Sequence, residues 1–349
     1  MLIMLVVLLV GDGCNRKDIR QEVNVDELKG TEITSYFERE IGQSKNLIFC
    51  STFQLAWNEF KTNVFKEDIH LTNEPSSVSY LNKSNISKQD ISDKDYVAMV
   101  GRGSDNIIGK INEELKNKFS NPPIVSDQIK PDDFFAYAYL NKNLEFENQF
   151  EVMSEPLKFK DSKVKSFGIK NFDEKSLQLG NQVEVYDYIN EDDYIIKLIS
   201  KDTNDEIVLA KIPAKERLDL TYEAVTQRIE ASKPIKLGEH DSLIIPLIDL
   251  NISNSYDELL NKNFLNAGWE PYFFYRAIQI IDFHLNNKGA VLKSESKLAA
   301  TKQAIIVPSS KPIELIFNNP FLLYLKEKQA VRPYLTIWVN DPEIMEKSN

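Results

Sequence analysis

The chain has 349 residues, 42% of them hydrophobic, which allows one large domain or two ordinary ones with a substantial core. Its 42 Lys and Arg are outnumbered by 53 Asp and Glu, so the net charge is −11 and a nucleic-acid partner is not expected. Two cysteines are too few for a disulfide framework or a thiolate metal site. We therefore predict no metal and no cofactor, and stability must come from packing.

The first ten residues are uniformly apolar, and Gly11-Asp12-Gly13-Cys14 and a charged stretch follow them. A membrane helix needs about 20 apolar residues, so this run is typical of an export signal and not of a membrane span. The sequence predicts a signal at 1–14, a short tether at 15–25 and a single domain at 26–345. The protein is expected outside the cell or in the cell envelope. Signal cleavage and lipidation at Cys14 both remain open, and a lipid anchor there is the one membrane contact we expect.

The first half of the chain predicts mainly helices. Apolar residues recur at helical spacing from 26 to 41, which favours an amphipathic helix. A short apolar run at 47–50 predicts a buried strand, and the stripe at 53–60 predicts a buried helix after it. The polar stretch that follows contains one clear helical pattern, at 107–119.

After Pro131 the pattern changes to short segments rich in Val, Ile, Tyr and Phe that alternate with turn residues, which is typical of strands. Helical patterns interrupt them at 221–229 and 256–262. Early helices followed by mixed strands favour an α+β fold with large antiparallel sheets, and the lack of βαβ alternation argues against a nucleotide-binding fold. The predicted strands are 134–140, 157–159, 164–169, 182–188, 194–200, 207–212, 243–250, 277–285, 313–317, 321–326 and 334–339.

Motifs for enzyme chemistry are missing from the sequence. His70, His240 and His284 lie far apart, and none has a second metal-ligand candidate three or four residues away. There is no Gly-x-Ser-x-Gly elbow, and the glycine-rich stretch at 101–110 misses the spacing of a phosphate-binding loop. The protein is therefore not expected to be an enzyme, unless His284 meets a carboxylate beside an exposed hydroxyl in a pocket.

The last 75 or so residues contain an ordered series of features. An alternating strand at 277–289 ends in Asn286-Asn287-Lys288-Gly289, and a polar loop with Ala and Ser follows it. Next come 312–325, with an Asn-Pro-Phe turn, and 334–342, which ends in Asn-Asp-Pro. This order resembles the closing strands of the serpin superfamily, and earlier segments from residue 28 onward fall in the family's order as well. The chain looks like a shortened, divergent member.

The resemblance implies a serpin-like α+β fold with an exposed reactive-centre-type loop at about 289–310. It also implies a protease partner and inhibition of serine or cysteine endopeptidases, in which the cleaved loop inserts into the central sheet as a new strand. The implied hinge of the loop is Gly289, Ala290, Val291, Leu292, Lys293 and Ser294. The implied cleavage region is Lys302, Gln303 and Ala304.

Insertion as a strand imposes a period of two on the loop. Starting after Gly289, the inward residues would be Ala290, Leu292, Ser294, Ser296, Leu298 and Ala300, and none of them is charged. The charges of Lys293, Glu295 and Lys297 would all point outward. Since an unpaired buried charge costs several kcal/mol, this phase permits insertion.

Some positions depart from the family pattern. The family's Ser-Pro-x-Ser before the early buried helix is Ser51-Thr52-Phe53-Gln54 here, and its central-strand Asn and Trp correspond to Ala136 and to Leu144 or Phe146. Leu292 and Lys293 also interrupt the small residues that the family's inhibitors carry at the start of the loop. These departures favour the alternative function, a non-inhibitory serpin-fold binding or cell-surface protein.

Overall fold

The structure is a computed structural model that describes residues 22–170, 174–238, 240–291 and 312–348. Its helices are α1 (Thr52–Glu59), α2 (Ser76–Asn82), α3 (Ile107–Lys118), α4 (Glu174–Gly180) and α5 (Leu218–Ala231). A π-helical turn at Phe60–Phe65 extends α1, and short 3₁₀ turns occur at Val25–Glu27, Lys88–Asp90, Asp93–Asp95, Gly103–Asp105, Asp257–Leu259 and Pro342–Ile344.

The strands are numbered in chain order. They are β1 (Val23–Asn24), β2 (Thr31–Thr34), β3 (Asn46–Cys50), β4 (Tyr96–Arg102), β5 (Phe134–Leu140), β6 (Asn143–Glu145), β7 (Glu151–Val152), β8 (Leu157–Phe159), β9 (Ser162–Val164), β10 (Ser166–Ile169), β11 (Val183–Asn190), β12 (Asp193–Leu198), β13 (Asp205–Lys211), β14 (Ile235–Lys236), β15 (Ser242–Pro246), β16 (Ile248–Ser255), β17 (Ile278–Asn286), β18 (Gly289–Val291), β19 (Glu314–Ile316), β20 (Phe321–Glu327) and β21 (Leu335–Val339).

The largest sheet has eight strands in the order β14-β11-β12-β13-β20-β21-β3-β2. Its central strands are apolar almost throughout because both of their faces are covered. On β20, Leu322 and Tyr324 pack with α5 residues such as Val225, whereas Leu323 and Leu325 belong to the main core. The closing hairpin of β20 and β21 is therefore fully internal.

A five-stranded sheet has the order β1-β16-β17-β18-β6. The residues of β16 and β17 alternate between buried and more exposed positions, so one face packs on the core and the other is open. A four-stranded sheet has the order β19-β15-β10-β7, and β15 leads directly into β16. These sheets confirm the predicted α+β class with large, mostly antiparallel sheets.

Strands β4 and β5 pair antiparallel along their whole length. Their outer face is covered by α3, where Ile111 and Leu115 pack with Val97 and with the ring of Tyr139. Their inner face packs on α1, which also touches β17. Helix α1 therefore underlies β5 and β17 together.

Most predicted elements are present, but the helix predicted at 26–41 is wrong. The segment contains most of the 3₁₀ turn Val25–Glu27, which follows β1. It then forms β2, which pairs in parallel with β3. Residues that are distant along the chain stabilise this structure in place of a helix. The Glu343 carboxylate accepts hydrogen bonds from the backbone N–H groups of Lys29 and Gly30, and the Asn46 amide donates a hydrogen bond to Thr31 Oγ1. Tertiary contacts override a helical pattern of modest strength.

Two further boundaries differ from prediction. The stretch predicted as a helix at 256–262 forms only the 3₁₀ turn Asp257–Leu259, and Asn261 beyond it has a left-handed backbone with φ of 56°. The tether predicted at 15–25 extends too far, because β1 already pairs with β16. The signal at 1–14, including Cys14, lies outside the described residues.

Candidate functional site

The candidate site lies where the chain turns out of β17. A tight turn connects β17 to β18, and the backbone N–H of Lys288 donates to Asn286 Oδ1 at 2.8 Å. Gly289 has a φ of +153°, and a Cβ atom at this position would collide with the carbonyl of Leu144 on β6. Glycine is required at this point because the neighbouring strand comes so close.

Strand β18 fills the space between β17 and β6. Ala290 lies opposite Leu285 on one side and Leu144 on the other, and it is 1% exposed. The prediction that an exposed loop begins at Gly289 is therefore wrong for Gly289, Ala290 and Val291, which form a strand inside the sheet. The edges of β17 and β6 both provide hydrogen-bond partners for its backbone, so the segment forms a strand although it is only three residues long.

The next strand that the structure describes belongs to a different sheet. β19 pairs in parallel with β15 at the edge of the four-stranded sheet, whereas β17 and β18 are inner strands of the five-stranded one. The two strands that border the predicted loop thus do not pair with each other as a hairpin. The predicted hinge residues Leu292, Lys293 and Ser294 and the predicted cleavage region Lys302, Gln303 and Ala304 lie outside the described residues.

The second side of β17, away from β16, pairs with a described strand only at its C-terminal end. β18 pairs with β17 only at residues 284–286, and no other described strand pairs with this side of β17 along 278–283. β5 likewise pairs on one side only among the described residues, with β4. β6 follows β5 after only two residues, so β5 precedes β6 on the same side of β18. If β18 continued, the added residues would therefore lie between β17 and β5.

Gln279 joins three elements beneath this edge. Its Nε2 donates to the carbonyl oxygen of Cys50 at 2.9 Å and to Thr52 Oγ1 at 2.8 Å, and its Oε1 accepts from the Tyr256 hydroxyl at 2.6 Å. Gln279 is 4% exposed, and burial raises the pKa of Tyr256 well above its ordinary value. A buried amide with these partners holds β17 to the beginning of α1 and to the end of β16.

Sequence reasoning missed Gln279, although a signal was present. In the alternating strand at 277–285 the inward positions are otherwise apolar, as at Ile281, Phe283 and Leu285, and Gln279 has the same phase. A polar residue in an inward phase indicates a buried hydrogen-bond partner. The identity of that partner depends on α1 and β16, which the local pattern does not reveal.

We expect the substitution Gln279→Leu to lower the free energy of unfolding by about 1–3 kcal/mol. Leucine fills a similar volume, but it leaves the buried Tyr256 hydroxyl and Thr52 Oγ1 without this partner. Urea unfolding measures the effect, and Gln227→Leu on the exposed side of α5 is the control with little expected change. Equal stabilities of the two variants would show that the network does not stabilise the fold.

The structure places His284 beside carboxylates. Its Nδ1 lies 3.2 Å from Asp249 Oδ1, and its Nε2 lies 3.6 Å from Asp282 Oδ1. All three side chains are on the open face of the five-stranded sheet, and none lines the cavity formed by 25–36, the beginning of α2 and 254–258. Within the described ranges no group of three His, Cys, Asp or Glu could hold a metal ion, and no helix is long and apolar enough to cross a membrane.

A cavity of about 610 Å³ lies away from the candidate site. Its walls are formed by 25–36, by the beginning of α2 and by 254–258, and they are mainly polar. Tyr256 connects the two regions, since it lines the cavity and donates its hydroxyl to Gln279. The cavity brings together none of the residues that the sequence predicted as functional.

Comparisons with known proteins find similarity only among solved structures. No family model matches the chain, and no curated protein matches it. A serpin of the insect Tenebrio molitor is 8% identical with a TM-score of 0.49, covering 86% of this chain and 92% of its own. A thyroxine-binding globulin in complex with thyroxine is 10% identical with a TM-score of 0.49, covering 85% and 93%. A serpin of the trematode Schistosoma haematobium is 12% identical with a TM-score of 0.48, covering 85% and 94%.

Proposed function

We propose that the chain is an exported, serpin-like protein that presents the segment after Val291 to a protease, and that it does not act as an enzyme. One observation carries the proposal: β18 forms a strand between β17 and β6, and the next described strand, β19, belongs to a different sheet. A segment attached in this way can be cut without separating either strand from its sheet. The apolar N-terminal run would direct export, and Cys14 would carry the lipid if an anchor is added.

The pairing of β18 fixes where a continued strand would lie. Val291 is opposite His284 and Ala290 is opposite Leu285, so the antiparallel register would place residues 292–297 opposite 283–278. This is the part of β17 whose edge pairs with no other described strand. After cleavage, the freed segment would supply backbone partners to β17 and, on its other side, to β5.

The side chains of the segment suit this register. Residues opposite each other in an antiparallel pair share a face, so Leu292, Ser294 and Ser296 would join the buried Phe283, Ile281 and Gln279. Lys293, Glu295 and Lys297 would point to the open face, where Ile278 and Ile280 are exposed. Lys293 would lie opposite Asp282, an attractive pairing of charges.

The proposal is tested by incubating the protein with trypsin-, elastase- and subtilisin-like proteases. An inhibitor that acts through a trapped intermediate gives a covalent complex that survives SDS, with the bond near Lys302, Gln303 or Ala304. Lys302 makes a trypsin-like enzyme the first choice. Complete resistance of 292–311 to every protease, or cleavage of the folded protein only at other places, would contradict the proposal.

The second candidate function is a non-inhibitory binding or cell-surface protein with the same fold. The specific observation is that the first inward residue after β18 is Leu292, which would have to enter beside Phe283, a side chain that is already 0% exposed. Bulk in this position slows insertion. Clean cleavage without a covalent complex in the same protease experiment favours this function over inhibition.

A further inference from the structure

Four charged side chains meet in the interior beside the candidate site. Lys142 lies in the connector between β5 and β6 and is 3% exposed. Its Nζ is 2.8 Å from Asp95 Oδ2, 3.1 Å from Asp205 Oδ2 and 2.5 Å from Glu327 Oε1. Asp95 ends a 3₁₀ turn before β4, Asp205 begins β13 and Glu327 ends β20. The group, called here the Lys142 cluster, therefore links the β5–β6 connector to the eight-stranded sheet.

The charges of the Lys142 cluster do not balance. One ammonium faces three carboxylates, and the Asp205 side chain is only 1% exposed. The Tyr334 hydroxyl is the one neutral donor beside Asp205 within the described part of the cluster, and Asp205 Oδ1 is buried next to it. A buried carboxylate in this setting gains by binding a proton, since the proton removes one negative charge and converts an oxygen into a donor.

The neighbouring groups act on Asp205 in opposite directions. Burial, with a smaller contribution from the charge of Asp202, raises the pKa of Asp205 to about 6 against the lowering effects of Lys142 and of a hydrogen bond from Tyr334. Burial alone would lower the pKa of Lys142, but Asp205, Asp95 and Glu327 hold it above its ordinary value. Other nearby groups are Tyr334, whose pKa burial raises well above the ordinary value, and Lys94, 3.9 Å from Asp202.

We propose that the Lys142 cluster is a proton-operated latch that fastens the β5–β6 junction to β13 and β20, and that loss of the proton from Asp205 loosens it. The latch acts on the border of the candidate site because β6, one residue beyond Lys142, pairs with β18. It does not depend on whether the segment after Val291 inserts. Opening of the junction exposes Asp205 to water, so opening releases a proton when the closed state holds one.

The sign of the pH dependence follows from linkage. The closed state binds the Asp205 proton more tightly than the open state, in which the carboxyl returns to its ordinary pKa of about 4. Protonated Asp205 therefore stabilises the closed junction at low pH, and this advantage is lost as the pH rises from about 4 through 6. The equilibrium constant for opening should increase roughly 50-fold between pH 4 and pH 7.

Two measurements on the full chain test the latch. A ¹³C NMR titration of the Asp205 carboxyl is expected to show a midpoint near 6. Hydrogen exchange of the amides of Asn143–Glu145, corrected for the intrinsic exchange rate, is expected to show the roughly 50-fold increase in opening. In the Asp205→Asn variant, which cannot ionise, the corrected opening constant should be nearly independent of pH, whereas Asp161→Asn at an exposed turn should keep the wild-type response.

Either of two results overturns the latch. One is an Asp205 midpoint near 4, which would show that the buried carboxyl titrates as it does in water. The other is an opening constant that changes equally with pH in the wild type and in Asp205→Asn. If Asp205→Asn does not fold, the NMR titration of the wild-type protein decides alone.

Discussion

Ser294→Arg is expected to remove most of the thermal stabilisation that cleavage near residues 302–304 gives to the parent protein. Insertion of 292–297 would add backbone hydrogen bonds along β17 and β5, each worth about 0.5–1.5 kcal/mol net. A total on the order of 5 kcal/mol raises the melting temperature by roughly 7 °C in a chain of this size. Position 294 would lie opposite the buried Ile281, where an unpaired arginine costs several kcal/mol.

The matched control for Ser294→Arg is Glu295→Arg, one residue further along. Position 295 would lie opposite Ile280, which is 55% exposed, so the new charge stays in water and the stabilisation should remain. Scanning calorimetry before and after cleavage measures both variants. The same gain in both variants would disprove the register, and no gain even in the parent protein would show that the segment does not insert.

The sequence predicted the strands that carry a strong local pattern. β17 alternates, while β20 and β21 are continuous apolar runs that only a covered sheet can hold, and the predicted bounds differ from the observed ones by a residue or so. The same pattern identified the helix α3, whose apolar stripe covers β4 and β5. In each case the signal lies within the element itself.

The rest depends on partners that are distant along the chain. β18 is three residues long and is a strand because β6, about 145 residues earlier, lies beside it. β2 is a strand because Asn46 and Glu343 satisfy its polar groups. Lys142 carries no local signal of burial, since its three carboxylates come from three other elements. Polar residues of this kind are found only from the folded structure.

The candidate site therefore combines a predictable part with an unpredictable one. The strand β17 follows from the alternation that the sequence shows, and the return of the chain in another sheet is what the family resemblance implied. The partners of Gln279 and Lys142, which hold β17 to α1 and the β5–β6 junction to the eight-stranded sheet, follow from neither. A substitution at either residue changes how firmly the edges are held, without touching the segment that is proposed to meet a protease.

Lys142→Met is expected to lower the free energy of unfolding by about 3–5 kcal/mol at pH 7, because it leaves three carboxylates in the interior without their cation. The loss should be smaller at pH 5, where Asp205 is largely protonated in the folded state. Urea unfolding at the two pH values measures the difference. Adding Asp205→Asn to Lys142→Met should recover part of the loss at pH 7, since one buried negative charge is then absent.

Lys45→Met provides the comparison for Lys142→Met, because it also removes a lysine at 2.8 Å from a carboxylate, Glu32. Both side chains of that pair are more than 40% exposed, so water replaces the lost partner and the expected cost is below about 1 kcal/mol at either pH. Equal losses for the two lysines would mean that the buried carboxylates are already neutral or hydrated. A loss that is large for Lys142→Met alone, and that shrinks as the pH falls, requires ionised carboxylates inside the protein.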